Sequence, residues 1–434
     1  MTPEQVEAAV AAAWSVRREL AASPAHLRAS ALDHVSRALD GRRVELAALI
    51  TEETGKPARW ADVEVTRAVG TFRFAAEEAR RWSGELQRLD TDPAATGRLA
   101  LVRRVPRGPV LGITPFNFPL NLVAHKVAPA LAVGAPIVVK PAPAAPRTAQ
   151  LLGGLLAETQ LPTGAVAVLP VGNNTTQDLV RDPRLPVVSF TGSVPVGWAI
   201  RDAVPRKHVV LELGGNAAVV VCEDADLTWA AQRTALFSMY QAGQSCIAVQ
   251  RVYVHDAVFD GFQARLLAEV AALSLTDDVG PLVDEEAAVR VVSWVEEAVS
   301  AGATVLSGGP REGRLLPPTV LTAVPAGARV LDEEVFGPVV VLQRVASVDE
   351  AFAAVNDSIF GLQAGVFTRD VQVAFRAARE LEVGGVVIGD VPSYRADQMP
   401  YGGVKASGSG REGVRAAMHD LTEERVLVLT GLDL

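Results

Sequence analysis

The sequence predicts an α/β protein built on parallel β-sheets, and three observations support this. Between residues 110 and 213, short apolar runs alternate with stretches of helical periodicity. The runs are apolar throughout, which is typical of strands covered on both faces of a parallel sheet. A second series of the same kind follows Gly214-Gly215. We therefore expect two α/β units with a boundary near residue 213, and ligands bound at the carboxyl ends of the strands.

Helices are expected at the start of the chain. The apolar spacing predicts helices over residues 4–22, 24–54 and 57–83. Ser23 and Pro24 suit an N-cap and a first helical turn. Residues 98–104 then alternate apolar and basic side chains, which predicts an exposed strand or hairpin arm.

The two α/β series follow in order. In the first, strands are expected at residues 110–113, 137–140, 165–169, 187–190 and 209–213, with helices near 120–134, 146–158, 174–181 and 195–204. In the second, strands are expected at residues 217–221, 249–254, 335–342, 364–368 and 386–388, with helices at 226–240, 256–273, 284–301 and 370–382. The tail at 425–429 is predicted to be a strand with no later partner in the chain. We expect it and the strand at 98–104 to pair with another subunit.

Composition and charge disfavour several classes of protein. The chain of 434 residues has a formal net charge of -9 and no run of Lys or Arg, which disfavours nucleic-acid binding. It has two cysteines and no CxxC motif, and its six histidines lie far apart, so we expect no disulfide framework and no metal. The amino terminus is polar and acidic, and no apolar run reaches the roughly 18–20 residues that span a bilayer. The sequence predicts a cytoplasmic protein without a membrane or nucleic-acid partner.

One of the two cysteines has the surroundings of a nucleophile. Cys246 lies among small and polar residues, whereas Cys222 ends the apolar run Val-Val-Val-Cys that is typical of a buried structural position. Gly243 permits an irregular backbone ahead of Cys246, where free amides are expected to lower the thiol pKa and to donate to an oxyanion. We interpret Cys246 as a nucleophile that the other motifs surround.

Two motifs follow strands of the first series. In Thr114-Pro115-Phe116-Asn117-Phe118-Pro119, two prolines stiffen a turn that presents Asn117. A rigid side-chain amide suits an oxyanion donor, but a proline turn with a capping asparagine fits equally well. Lys140, at the end of the next strand, is placed to reach a ribose or a phosphate, or it is a solvated lysine before a turn.

A glycine motif joins a third strand to a helix. Phe190-Thr191-Gly192-Ser193-Val194-Pro195-Val196-Gly197 combines glycine with a free helix N-terminus, which suits an anion such as a pyrophosphate. The spacing of the two glycines is that of a Walker A loop, but Trp198 stands where that loop requires lysine. We therefore interpret the motif as a dinucleotide site and not as part of an ATPase.

Two acids complete the set of motifs. Glu212 is flanked by leucines at the end of a strand, so we expect a half-buried carboxylate with a raised pKa, which suits a general base. A structural ion pair with a lysine is the alternative. Glu334 and Phe336 stand at the start of a predicted strand, on the same side of it, where they either contact a ligand or form only a polar strand entry.

Taken together, these motifs resemble the aldehyde dehydrogenase superfamily, and they occur in the order of that family. They are TPFNFP at 114–119, KPAP at 140–143, FTGSVPVG at 190–197, LELGGN at 211–216, GQSCIA at 243–248, EEVFGPV at 333–339 and PYGGVKASGSGREG at 400–413. Glu212 and Cys246 are 34 residues apart, as in the family. The resemblance runs from about residue 5 to the carboxyl terminus. A longer N-terminal segment found in most members is absent.

The resemblance implies a fold of three parts. A Rossmann-type domain for the nicotinamide dinucleotide would comprise residues 1–84 and 107–213, and an α/β catalytic domain residues 214–421. A small β oligomerisation arm would comprise residues 85–106 and 422–434. Such an arm implies a homodimer or a homotetramer.

The resemblance also implies the chemistry. Cys246 would add to an aldehyde as thiolate, and Asn117 with the backbone amide of Cys246 would hold the oxyanion. Hydride would pass to the cofactor, and Glu212 would activate the water that hydrolyses the thioester to a carboxylic acid. The implied cofactor-binding residues are Ile113, Thr114, Pro115, Phe116, Lys140, Pro143, Gly192, Ser193, Gly214, Glu334 and Phe336.

Two features bear on specificity. The acid at Glu212 favours hydrolysis over transfer to coenzyme A. Pro143 replaces the acid that excludes NADP from many members, so the cofactor is NAD or NADP, with a slight preference for NAD and no metal. The substrate is expected to be a small aldehyde or semialdehyde, as in the lactaldehyde and semialdehyde branches. The implied pocket residues are Phe118, Leu122, His125, Tyr240, Ser245, Arg395 and Tyr401.

Two other functions are compatible with parts of the sequence. A cysteine thioesterase or esterase would use Cys246 with an imidazole base, and His125 is the only histidine near the motifs. A non-catalytic structural relative is the second alternative. The intact set of Cys246, Glu212 and Asn117 argues against it.

Overall fold

A computed structural model describes residues 1–433, and it has the predicted α/β architecture with two main sheets and two small ones. The helices are α1 (Pro3–Ala22), α2 (Ala25–Gly41), α3 (Arg43–Thr54), α4 (Ala58–Arg81), α5 (Asn121–Val133), α6 (Pro146–Ala157), α7 (Asn173–Arg181), α8 (Val194–Ala203), α9 (Leu227–Met239), α10 (Phe259–Ala271), α11 (Glu285–Ser300), α12 (Arg329–Asp332), α13 (Val348–Asn356), α14 (Val371–Glu380) and α15 (Val414–Asp420).

The strands of the first half are β1 (Glu85–Arg88), β2 (Arg98–Pro106), β3 (Val110–Ile113), β4 (Ile137–Lys140), β5 (Val166–Val168), β6 (Val187–Thr191), β7 (His208–Glu212) and β8 (Ala218–Val221). Those of the second half are β9 (Arg251–His255), β10 (Thr304–Ser307), β11 (Thr319–Thr322), β12 (Val339–Val345), β13 (Phe360–Gly361), β14 (Gln363–Phe367), β15 (Gly385–Ile388), β16 (Val404–Lys405), β17 (Gly408–Ser409) and β18 (Thr422–Thr430).

The first main sheet has the order β17-β7-β6-β3-β4-β5, and its strands β3 to β7 run parallel. Helices cover both faces. Val110 and Ile137 pack into one apolar cluster with α2, α4 and α5, while Leu111 and Val138 pack into another with α1 and α7. Because successive side chains of a strand point to opposite faces, both faces of these strands need apolar residues. The continuous apolar runs in the sequence follow from this.

The second main sheet has the order β10-β11-β12-β9-β8-β14-β15 and is parallel except for β10. The same alternation holds here. Val219 and Val221 belong to one apolar cluster, and Ala218, Val220 and Cys222 belong to another on the opposite face. Cys222 therefore lies in an apolar environment.

The end of the chain returns to the first sheet. Strand β17 pairs with β7, and α15 packs against α4 and α5. Residues 408–421 thus lie against the first sheet, although the predicted boundaries place them in the second unit. The domain boundaries remain our proposal.

A three-stranded antiparallel sheet, β1-β2-β18, forms the predicted arm. Strand β18 pairs with β2 along its whole length, from Thr422 opposite Pro106 to Thr430 opposite Arg98. The tail, which has no later partner in the chain, thus pairs with the earlier strand β2, and its predicted pairing with another subunit stays a prediction. The distance in sequence between β2 and β18 hid their pairing.

Several element boundaries differ from the prediction. The helix expected over residues 24–54 is two helices that meet at Arg42. Ser23 ends α1, and Pro24 holds the N-cap position of α2. The strand expected from residue 335 begins at Val339, because Phe336 has a φ of 48° that a strand does not allow. Strands β1, β10 and β11 and helices α13 and α15 were not predicted. Within residues 1–433, no helix combines the length and the apolar character that crossing a membrane requires.

Candidate active site

A cavity of about 620 Å³ lies at the carboxyl ends of the strands of the first sheet, where the loops of the second half meet them. It brings together Cys246, Glu212 and Asn117. Also on its wall are these residues from the predicted cofactor and substrate sets: Pro115, Phe116, Gly192, Ser193, Gly214, Glu334, Phe336, Phe118, Leu122, Tyr240, Ser245, Arg395 and Tyr401. Ile113, Thr114, Lys140, Pro143 and His125 do not line it.

A strained turn presents Cys246. After α9 ends at Met239, Gln241, Ala242 and Gly243 all have positive φ angles, of 43°, 57° and 66°. A side chain on Gly243 would overlap the carbonyl oxygen of Gly337, so glycine is required there. The left-handed conformation is costly for the two non-glycine residues, Gln241 and Ala242, and persists only where the surrounding structure holds it, which is typical of functional sites.

The thiol of Cys246 faces a phenol. Its Sγ atom lies 3.1 Å from Oη of Tyr401. Burial raises the pKa of the Cys246 thiol to about 12, and the hydrogen bond with Tyr401 acts in the opposite direction. The expectation that backbone amides lower the thiol pKa was therefore wrong for this state of the protein. Burial also raises the pKa of Tyr401, so the phenol keeps its proton and donates to the sulfur once Cys246 ionises.

We expect Tyr401→Phe to make Cys246 harder to ionise. The variant loses the donor that favours the thiolate, so the pH at which iodoacetamide alkylates Cys246 at half its maximal rate should rise. Mass spectrometry after timed alkylation measures this, with Cys222 as the internal control because it lies far from Tyr401 in a different apolar cluster. An unchanged pH profile would show that the hydroxyl does not stabilise the thiolate.

The carboxyl group of Glu212 is buried and unpaired. Glu212 ends β7 and is 3% exposed, more deeply buried than the half-buried position that we expected. Neither of its oxygens has a hydrogen-bond partner among the described residues. Burial, together with the charge of Glu412, raises its pKa well above the usual value. The carboxyl group is thus protonated in this state, and it can act as a base only after it loses that proton.

Two buried charges near Glu212, Lys126 and Glu412, were not predicted as site residues, whereas Arg395, which pairs with Glu412, was. Glu412 accepts from Lys126 at 3.2 Å and from Arg395 at 3.1 Å. Burial alone would raise the pKa of Glu412, but the two cations lower it to about 2. Glu412 stands in the motif at 400–413, so this motif could have indicated it from the sequence. Lys126 lies on α5, outside the motifs.

Arg395 has capacity for a further partner. Its guanidinium lies 3.9 Å from the centre of the Tyr401 ring, and its Nη2 atom contacts Glu412. Its Nε atom is buried and has no hydrogen-bond partner among residues 1–433. Arg395 lines the cavity, but its Nε atom is shielded from it, so this donor reaches a ligand only when the side chain shifts.

Asn117 is fixed opposite the cysteine loop. Its Nδ2 atom donates to the carbonyl oxygen of Gln244 at 3.0 Å. Gln244 is itself held, because its Oε1 atom accepts from the amide of Val283 at 2.8 Å. An amide nitrogen has two hydrogens, so Asn117 retains a second N–H for another acceptor.

His125 lies behind the cavity rather than on its wall. It is 1% exposed, and its Nε2 atom lies 2.9 Å from Asp397, which also pairs with Arg67. Burial lowers the pKa of His125, and Arg395 adds to this effect. The ring contacts Asp397 and Arg395 and does not line the cavity, so the structure does not support the predicted contact of His125 with the substrate. This position also removes the imidazole base that a cysteine hydrolase would need.

The other side of the cavity fits a nicotinamide dinucleotide. Burial raises the pKa of Glu334 to about 7, and its Oε1 atom accepts from the amide of Gly215 at 3.0 Å. A side chain on Gly214 would displace this carboxylate from its present position. The rings of Phe116 and Phe336 lie edge to face at 6.0 Å. A carboxylate and aromatic rings suit a ribose and a nicotinamide.

The glycine motif adds a site for the pyrophosphate. Ser193 is the N-cap residue of α8, and its side chain makes no capping hydrogen bond. The free amides of this helix N-terminus are therefore available to an anion. Lys140 ends β4, and burial lowers its pKa. No group of three His, Cys, Asp or Glu side chains arranged for a metal occurs in the described part of the chain.

The fold and the cavity define a class of oxidoreductase in which a cysteine works beside a bound nicotinamide dinucleotide. The sequence model of the aldehyde dehydrogenase family matches residues 1–427, and the chain belongs to this family. The predicted enzyme class, an NAD(P)-dependent aldehyde dehydrogenase, is thereby confirmed.

Particular relatives are similar over almost the whole chain. The 3-sulfolactaldehyde dehydrogenase of Priestia aryabhattai is 43% identical over 395 residues, which cover 89% of this chain and 83% of that protein. Aldehyde dehydrogenase 21 from Physcomitrella patens, solved in complex with the reaction product succinate, has a TM-score of 0.97 and 42% identity, covering 100% of this chain and 92% of that one. NADP-dependent glyceraldehyde-3-phosphate dehydrogenase from Bacillus halodurans C-125, complexed with NADP, has a TM-score of 0.95 and 36% identity, covering 99% and 92%.

Proposed function

We propose that Cys246, Glu212 and Asn117 are the catalytic residues with which this enzyme oxidises an aldehyde to a carboxylic acid. The observation that carries this proposal is that one cavity holds all three, with both oxygens of Glu212 free. In the first step the thiol of Cys246 gives its proton to solvent, and the resulting thiolate bonds to the aldehyde carbon. The carbonyl oxygen becomes an oxyanion, which the amides of Asn117 and Cys246 stabilise.

The nicotinamide cofactor, when bound, accepts the hydride from the carbon that is attached to Cys246. Glu334 and Phe336 would hold the nicotinamide end of the cofactor, and Ser193 its pyrophosphate. Glu212 then takes a proton from water, the water oxygen bonds to the acyl carbon, and the thiolate of Cys246 leaves. The products are a carboxylic acid and the free enzyme.

We further propose that the substrate is a small aldehyde with an anionic group at its far end. Arg395 lines the cavity and has a buried donor without a partner. Lys126 and Arg395 share the single carboxylate of Glu412, and burial keeps Glu212 neutral, so the cluster has an excess of one positive charge. Relatives support this choice, since 3-sulfolactaldehyde carries a sulfonate and succinate a second carboxylate.

A matched pair of aldehydes tests the anionic substrate. We expect kcat/KM to be higher for succinate semialdehyde than for butanal, each assayed with NAD and with NADP. In Arg395→Gln, the lost charged hydrogen bond should lower kcat/KM for succinate semialdehyde roughly tenfold to a hundredfold. The value for butanal should change little. Arg395→Lys, which retains the charge, should recover part of the loss.

Two outcomes of this experiment have different meanings. If Arg395→Gln weakens turnover of both aldehydes equally, Arg395 supports the site and does not select the anion. If neither aldehyde is oxidised by the unaltered enzyme with either cofactor, the proposed substrate class fails. A further panel of uncharged aldehydes then identifies the class that the enzyme accepts.

We propose that the enzyme accepts NADP as well as NAD. Lys140 has no carboxylate within 4.0 Å among the described residues, so its charge is available to a 2′-phosphate. Pro143 is exposed and provides no acid to repel that phosphate. The structure of the Bacillus halodurans relative in complex with NADP supports the same choice.

We also propose that the arm joins copies of the chain. Its outer strand β18 exposes Val426, Leu427 and Val428, which are 55%, 53% and 48% accessible. An exposed apolar edge strand favours pairing with another chain. Sedimentation analysis distinguishes a homodimer from a homotetramer.

A further inference from the structure

A second cleft lies at the base of the arm and shares no lining residue with the active-site cavity. Its volume is about 820 Å³, and β2, β18, α1 and the end of α5 contribute to its wall. No carboxylate lines it, whereas seven arginines do: Arg17, Arg18, Arg28, Arg103, Arg104, Arg107 and Arg425. In a chain with a net charge of -9, this is a strong local concentration of positive charge.

Most of this charge is not neutralised by the protein. Arg104 pairs with Glu424 at 2.9 Å, and Arg107 pairs with Glu423 at 3.3 Å. The other five arginines of the cleft have no carboxylate within 4.0 Å among residues 1–433. Arginines that line a cleft without acidic partners suit an external anion.

Two of these arginines oppose each other directly. In the antiparallel pair of β2 and β18, Arg103 stands opposite Arg425. Side chains at directly opposed positions project from the same face, and like charges there destabilise a sheet. Both residues also line the cleft. An anion between them would replace the repulsion with two attractive contacts.

A third arginine is fixed in place at the inner end of the cleft. Arg28 is 8% exposed, and its Nε atom donates to the carbonyl oxygen of Ala132 at 3.1 Å. Its Nη1 atom donates to Ser23, and its Nη2 atom makes no hydrogen bond to the described residues. The backbone carbonyls therefore hold a preorganised donor whose remaining N–H groups are free for a ligand.

We propose that this cleft is a binding site for a small, multiply charged phosphate anion, held between Arg103 and Arg425 and reached by Arg28. The planar fork of arginine pairs with two phosphate oxygens at once, which makes it the preferred side chain for such anions. The ligand is additional to the nucleotide and the aldehyde, because the two cavities have separate walls.

Binding of tripolyphosphate tests the proposal. Isothermal titration uses the full-length enzyme saturated with NADP, so that the proposed pyrophosphate site at Ser193 is filled. We expect saturable binding of one tripolyphosphate per chain. The double variant Arg103→Gln/Arg425→Gln should bind at least tenfold more weakly, and without ligand it should melt at the same or a higher temperature because the repulsion is removed. Dehydrogenase activity should not change.

Arg98→Gln is the matched control. Arg98 lies on the same strand β2 and is exposed, but it donates to the carbonyl oxygen of Ala94 and does not line the cleft. This variant should bind tripolyphosphate like the unaltered enzyme. Absence of saturable binding, or equal weakening in Arg98→Gln and the double variant, would overturn the proposal. A change of oligomeric state in the double variant, without tripolyphosphate binding by the unaltered enzyme, would also overturn it and would assign the cleft to a second copy.

Discussion

Glu212→Gln is expected to oxidise one aldehyde per active site and then stop. Hydride transfer does not need the carboxylate, so a single equivalent of reduced cofactor should form rapidly. Hydrolysis of the thioester needs a base, and general bases contribute roughly 10²- to 10⁴-fold to a rate. The steady-state kcat should fall by about that factor. Stopped-flow absorbance of the reduced cofactor separates the burst from the slow phase.

The burial of Glu212 predicts how pH acts on this step. A carboxylic acid works as a base only after it loses its proton, and burial raises the pKa of Glu212 well above its usual value. Deacylation in the unaltered enzyme should therefore accelerate as pH rises through that raised pKa. Glutamine has no proton to lose in this range, so the slow phase of Glu212→Gln should lack the same rise.

Cys246→Ala provides the control for the burst. It removes the sulfur that forms the thioester, so both the burst and the steady phase should disappear. In Glu212→Gln the glutamine should fit the site. Neither oxygen of Glu212 accepts a hydrogen bond from the protein, so the new amide group meets no donor that would repel it. Steady turnover of Glu212→Gln at the normal rate, without a burst, would show that another group activates the water.

The predicted and the observed structures agree where the signal is local. The strands Val110–Ile113 and Ile137–Lys140 are continuous apolar runs because both faces of the sheet are covered. Strand β10 was missed for the opposite reason, since Thr304–Ser307 has no buried residue and its side chains show no apolar pattern. The break at Arg42 directly follows Gly41, but the apolar spacing continues through it, so the sequence predicts one helix.

For the active site, too, the sequence predicts only what local signals indicate. Cys246, Glu212 and Asn117 each lie in a short motif. The few residues next to each of them are enough to suggest its chemical role. The contact between Cys246 and Tyr401 joins positions 155 residues apart, and that between Lys126 and Glu412 joins positions 286 residues apart. Such contacts arise only when the two halves of the chain fold together, so composition and spacing do not reveal them.

Asn117→Ala is expected to slow the first chemical step and to leave the thiol intact. Loss of one oxyanion donor costs about 10²- to 10³-fold in rate, or roughly 2.7–4 kcal/mol, in enzymes where it has been removed. We expect kcat/KM to fall by that factor, with no burst of reduced cofactor. The cysteine loop should persist, because the carbonyl oxygen of Gln244 also accepts from Nε2 of Gln241 at 3.0 Å. The alkylation rate of Cys246 by iodoacetamide verifies this.

Asn117→Asp tests whether Asn117 acts as a hydrogen-bond donor or has only a steric role. Aspartate has almost the same shape as asparagine, but its ionised form only accepts hydrogen bonds and places a negative charge beside the oxyanion. Its loss of kcat/KM should therefore be at least as large as that of Asn117→Ala, whereas a purely steric role predicts near-normal rates for the isosteric variant. If kcat/KM of Asn117→Asp stays within tenfold of the unaltered enzyme, Asn117 does not donate to the oxyanion. The backbone amide of Cys246 would then carry that role without it.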